Sequence, residues 1–97
     1  QSELLKILIS SHIVPWSECN DKERLDVENG ILLSPNVDSL FDKHLISFSD
    51  NGQMIISERL SGEELKKLGI PVGVTIKVTE GMKKYLQRHR ERLLQND

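Results

Sequence analysis

Residues 29–44 read NGILLSPNVDSLFDKH, and the fold is decided within this stretch. Ile31-Leu32-Leu33 is a short apolar run, and the tight-turn dipeptide Asn29-Gly30 before it marks the run as a strand. Ser34-Pro35 follows as a helix N-cap and a proline at the first helical position, where an absent N–H leaves no bond unmade. Val37, Leu40, Phe41 and His44 then fall at i, i+3, i+4 and i+7, one face of a helix. The same register places Asp38 and Asp42 a turn apart on one flank. A strand that gives way at once to an amphipathic helix is the nucleus around which the rest can be arranged.

Upstream, LLKILI at residues 4–9 and Ile13-Val14 read as a strand across roughly 5–14, ended by Pro15. Residues 17–28, SECNDKERLDVE, are polar and turn-rich, so the two strands form an antiparallel pair joined by a long irregular loop. Downstream, Leu45-Ile46-Ser47-Phe48 and Gln53-Met54-Ile55-Ile56 flank Asn51-Gly52, a β-hairpin pattern. Ser61-Gly62-Glu63-Glu64 resembles a capping box opening a short helix that Gly69 closes. Residues 70–78 read as extended. Thr79 caps a final helix with Met82, Tyr85, Leu86, His89 and Leu93 on one face and Lys84, Arg88 and Arg92 on the other. The expected fold class is α+β: a ββα core, then a hairpin and two helices.

The 97 residues, 37% apolar and 4% aromatic, suit one domain with a modest core. No apolar run reaches the roughly 18–20 residues of a membrane span. The opening segment carries Lys6 inside its apolar stretch and lacks a small-residue cleavage site, so it does not read as a leader. The single cysteine, Cys19, excludes an internal disulfide and a C-x-x-C zinc site, and a cytoplasmic setting is expected. Net charge is −2, but residues 1–60 hold five basic against ten acidic side chains, and residues 61–97 eight against five. By charge alone this is not a dedicated nucleic-acid binder; a polyanion would rely on the C-terminal stretch or a bound metal.

His12 at a strand end, Asn29 before the second strand and Asp38 one turn into the helix can converge an imidazole, a carboxamide and a carboxylate. That combination suits metal-assisted phosphodiester hydrolysis, with the imidazole taking a proton from water. The strings SHIVPW (11–16) and ERLDVENGILLSPNVDSLFDKHLISF (23–48) resemble the core of an HNH nuclease of the ββα-metal (His-Me finger) group, in its restriction-type prokaryotic variant. The likeness continues through RLSGEELKKLGI and YLQRHRERL over nearly the whole chain.

The resemblance implies a single nuclease domain over 1–97, with its core at 5–44, forming the C-terminal part of a longer protein. It implies an endonuclease acting on DNA, without membrane contact, as a homodimer or beside an appended recognition domain. His12 would be the general base. Asn29 would order the active-site loop or help hold the metal, and Asp38 would be a ligand of Mg²⁺ or Mn²⁺, with Zn²⁺ as a further candidate. Asp42 would lend support, and Lys84, Arg88 and Arg92 would touch nucleic acid. Products would carry 5′-phosphate and 3′-hydroxyl ends. Two departures stand out: Ser11 occupies a position where many relatives place an acidic or histidine ligand, and His44 stands where relatives usually have Gly.

Plainer readings accompany each residue. His12 is also a strand-end histidine satisfied by backbone, Asn29 a turn residue, and Asp38 an acid favoured by the helix N-terminus by ~0.3–1 kcal/mol. Asp42 reads equally as a solvated acid and the Lys84–Arg88–Arg92 stripe as a solvated face. His44 and His89 read as packed, Trp16 as a core plug below the loop, and Cys19 as a loop residue without a visible partner. The rival function is a non-catalytic DNA- or protein-binding module on the same scaffold; a toxin- or immunity-type interaction domain is a third.

Overall fold

Ile31 and Leu33 are buried while Leu32 between them is exposed, the period of two expected of a strand with one wet face. In the computed structural model, which describes residues 8–70 and 73–96, this strand is β2 (Gly30–Leu33). It pairs antiparallel with β1 (Ile9–His12), with Ile9 opposite Leu33, Ser11 opposite Ile31 and His12 opposite Gly30. Directly opposed residues share a face. Ser11 therefore lies on the buried face with Ile31 and Leu33, and His12 on the outer face with Leu32.

The loop between these strands is more ordered than its composition suggests. It holds a 3₁₀ turn (Trp16–Glu18), the short helix α1 (Asp21–Leu25) and a second 3₁₀ turn (Val27–Asn29). The Asn20 side chain accepts from Glu23 N–H and the Glu23 carboxylate from Asn20 N–H, a reciprocal cap that starts α1. Asn29-Gly30 is not a tight turn: Gly30 is extended at φ −122°, already part of β2. The expected strand over 5–14 is shorter. Its residues 5–7 lie outside the described ones, and Ile13 and Val14 form a buried bend.

α2 (Pro35–Asp42) lays Val37, Leu40 and Phe41 into the core, with Pro35 in the first turn as expected. Ser34 makes no side-chain cap, though its carbonyl accepts Asp38 N–H at 2.8 Å. His44, just past the helix, is buried at φ 59°, the left-handed conformation in which Gly is at ease. Beyond it, β3 (Ile46–Phe48) and β4 (Met54–Ile56) make the second hairpin, turning through Gly52. α3 (Gly62–Lys67) opens on the Ser61 capping box. In the extended stretch after it, Thr75 bridges Gln53, and residues 71–72 lie outside the described ones.

α4 (Glu80–Asn96) closes the fold, packing on β3 and on the 3₁₀ turn before β2. Its face of Met82, Tyr85, Leu86, His89 and Leu93 is buried as the spacing predicts. Fully burying one such side chain contributes about 1.5–3 kcal/mol. The α+β order of elements matches expectation. Among the described residues no helix is long and apolar enough to cross a membrane.

Candidate active site

His12 ends β1 with its ring exposed on the outer face of the hairpin. Its Nε2 lies 3.4 Å from the backbone carbonyl of Arg24 in α1. A carbonyl can only accept, so this contact favours the tautomer with the proton on Nε2 and leaves Nδ1 with its lone pair free.

One residue earlier on the strand, Ser11 points the opposite way, toward α2, and its hydroxyl donates to Asp38 Oδ1. Both residues are half-buried. The N-terminal turn of α2, started by Pro35, is what carries the Asp38 carboxylate to the inner face of the hairpin.

Asn29 was expected both in catalysis and as a metal ligand. Its carboxamide is fully buried and turned into the β1–β2 loop. Oδ1 accepts Val14 N–H at 2.9 Å; Nδ2 donates to Glu23 O at 3.3 Å and to Cys19 Sγ at 3.2 Å. Cys19, a loop residue without a visible partner in the sequence, in turn donates to Val14 O. Asn29 thus ties the residue two beyond His12 to the residue one before Arg24. The role this geometry gives it is holding the loop around His12, and its oxygen is already engaged.

The structure therefore gathers His12, Asn29 and Asp38 around residues 11–14, but their side chains leave that segment in different directions. Among the described residues, no three His, Cys, Asp or Glu side chains cluster as a metal site. The donors that meet are the Asp38 carboxylate and the Ser11 hydroxyl, both hard oxygens. This set fits an ion such as Mg²⁺, which keeps several waters and is bound through one or two carboxylates and substrate phosphates. It does not supply the nitrogen and sulfur donors typical of zinc. Asp42 ends α2, exposed, and its charge reaches His44.

The basic stripe of α4 is not a free face. Arg88 pairs with Glu23 at 2.7 Å and donates to Glu18 O at 3.2 Å, and Arg92 pairs with Glu18. Lys84 is exposed, its Nζ 5.1 Å from the Tyr85 ring centroid. Tyr85 donates to Asp26 Oδ2 at 2.6 Å. That bond holds the Asp26 carboxyl below its usual range and raises the phenol to about 12. Glu23 is also held low, first by Asn20 N–H and then by Arg88. Trp16, expected as a core plug, is 58% exposed, with the Arg24 guanidinium stacked on its ring. Neither Arg24 nor the Glu23 carbonyl stood out in the sequence, and the Asn20-x-x-Glu23 capping pattern was the one signal that would have placed them on a helix beside His12.

A two-stranded hairpin followed by a helix, with an imidazole at the first strand's end and a carboxylate facing its neighbour, defines a ββα class of site. Residues 3–49, which include β1, β2 and α2, match the family model for HNH endonucleases. No curated protein is similar enough to the chain to count as a match. HNH nucleases act on DNA and generally use divalent metal ions.

Proposed function

We propose that this chain is a metal-dependent endonuclease that hydrolyses DNA phosphodiester bonds, with His12 as the general base. The observation that carries this reading is His12 itself. It is exposed at the end of β1, its Nε2 rests on a backbone carbonyl, and it directly follows the Ser11 that bonds Asp38. An imidazole in that tautomer takes a proton from an attacking water at Nδ1, and the Arg24 carbonyl faces the imidazolium that results. Asn29 keeps that carbonyl in place through Glu23 O and Val14 N–H. Asp38 would hold the cation with Ser11 beside it. A bound divalent ion supplies charge stabilisation for the phosphate and the leaving 3′ oxygen. The whole chain would act as one domain, and Asp42 would support α2 at its exposed end.

Plasmid cleavage in Mg²⁺ or Mn²⁺ tests the assignment. His12→Ala should abolish nicking while the circular dichroism spectrum stays that of the parent. Asp38→Asn should in addition lose Mn²⁺ binding in a direct titration. Undiminished cleavage by His12→Ala would remove the base from this mechanism. DNA binding without any binding of metal would instead favour the non-catalytic module, a reading that the single carboxylate of the site keeps in play.

A further inference from the structure

Four acidic residues of the β1–β2 loop meet partners in the C-terminal part of the chain. Glu18 pairs with Arg92, Glu23 with Arg88, Asp26 with the Tyr85 hydroxyl, and Glu28 accepts the Thr79 hydroxyl at 2.5 Å. Arg88 and Arg92 of α4 thus offset the charges of Glu23 and Glu18. Arg24 is placed differently. Its Cζ lies 3.9 Å from the Trp16 ring centroid and its Nε donates to Trp16 O at 3.0 Å, while its own carbonyl faces His12. Among the described residues the carboxylate paired with it is Asp21, at 3.4 Å and 98% exposed; such a pair in water is worth little.

We propose that Trp16 and Arg24 form the surface that receives the DNA backbone beside His12, with the guanidinium contacting a phosphate next to the one attacked. The assignment rests on the nuclease reading above and names the residues that position its substrate. The stack on indole fixes the guanidinium in orientation without cancelling its charge. Phosphate offers that planar donor fork a stronger partner than a solvated Asp21 does. The exposed remainder of the indole presents a flat apolar surface for a sugar or an unstacked base. The same residue thereby meets the backbone through its side chain and orients the base through its carbonyl.

The experiment is an anisotropy titration of a short fluorescein-labelled DNA duplex with His12→Ala protein, which holds the duplex uncut. Arg24→Gln should weaken binding severalfold and lower the slope of log K against log salt by about one. Arg24→Lys should keep the slope. Trp16→Ala should weaken binding about tenfold, the scale of one lost stack. Asp21→Asn should tighten it. Thermal unfolding is followed in parallel, and Arg24→Lys and Trp16→Phe serve if the larger changes fail to fold: Trp16→Phe should then bind more weakly than the parent. Unchanged affinity and slope in Arg24→Gln, or unchanged affinity in both Trp16 variants, overturns the assignment. If the parent cuts plasmid while Arg24→Gln binds as the parent does, this assignment alone falls; a parent that neither binds nor cuts duplex DNA takes the nuclease reading with it.

Discussion

Asn29 shows what a single buried side chain does for this loop. One carboxamide satisfies a backbone N–H on the strand side and a carbonyl on the α1 side. Asn29→Ala strands the Val14 N–H, while Glu23 O keeps the Asp26 N–H at 3.3 Å; an unsatisfied buried group costs about 1–3 kcal/mol. The expected outcome is a urea unfolding midpoint lowered by that order, together with a fall in cleavage rate while Mn²⁺ affinity is kept. Metal affinity falling with the rate would return Asn29 to the ligand set. The residue type was legible in the sequence, but its direction was not, because its main partners are backbone groups that leave no sequence signature. Trp16 is the converse. Its apolar ring suggested burial, yet a three-residue 3₁₀ turn carries no periodicity, and the turn aims the ring outward to where Arg24, eight residues on, can cover it.

At the level of elements, the second hairpin was legible because Asn51-Gly52 reports a backbone requirement directly. Gly52 sits at φ 84°, its N–H reaches Ser49 O, and a Cβ there would stand 1.9 Å from the carbonyl oxygen of Ile76. Gly52→Ala combines left-handed strain with that clash, and the stretch that must yield also donates Ile76 N–H to Gly52 O. Destabilisation of more than about 1 kcal/mol is expected, measured as a lowered thermal midpoint. Asn51→Ala, one residue away and exposed, is the control that should move far less. α2, α3 and α4 announced themselves through proline, a capping box and apolar spacing. α1 did not, being five residues long, too short to show a face. Its consequence is large all the same, since α1 brings the Arg24 carbonyl to His12.

On the scale of the whole molecule, α4 joins the two hairpins, and two histidines far apart in sequence meet beneath it. His44 and His89 stack with centroids 4.2 Å apart, and His89 stacks on Phe41 at 3.7 Å. His89 Nε2 donates to Phe41 O and Nδ1 accepts from the Ser47 hydroxyl, which fixes a neutral ring. Apolar spacing already marked both histidines as packed, but nothing in it pairs residue 44 with residue 89. Burial, then the neighbouring His44, depress His89 to about 3. Burial likewise lowers His44, helped by Arg92 and opposed by Glu18 and Asp42, while Arg90 and Arg92 also face His89. A histidine with a depressed folded pKa contributes fully above its unfolded value near 6.5, and that contribution is lost as pH falls toward the folded value. Below about pH 6.5 the unfolded chain binds protons that the folded chain refuses, at up to about 1.4 kcal/mol per pH unit for each ring. Denaturant midpoints should therefore be level above about pH 7 and fall steadily to about pH 5. Glu23 and Asp26, held below the ordinary carboxylate range, add their own loss only at more acidic values. His44→Asn, which tolerates the left-handed backbone and removes one ring, should flatten the decline in that window. A decline as steep in the variant as in the parent would show that His44 stays neutral in neither state and that His89 alone sets the acid limit of this fold.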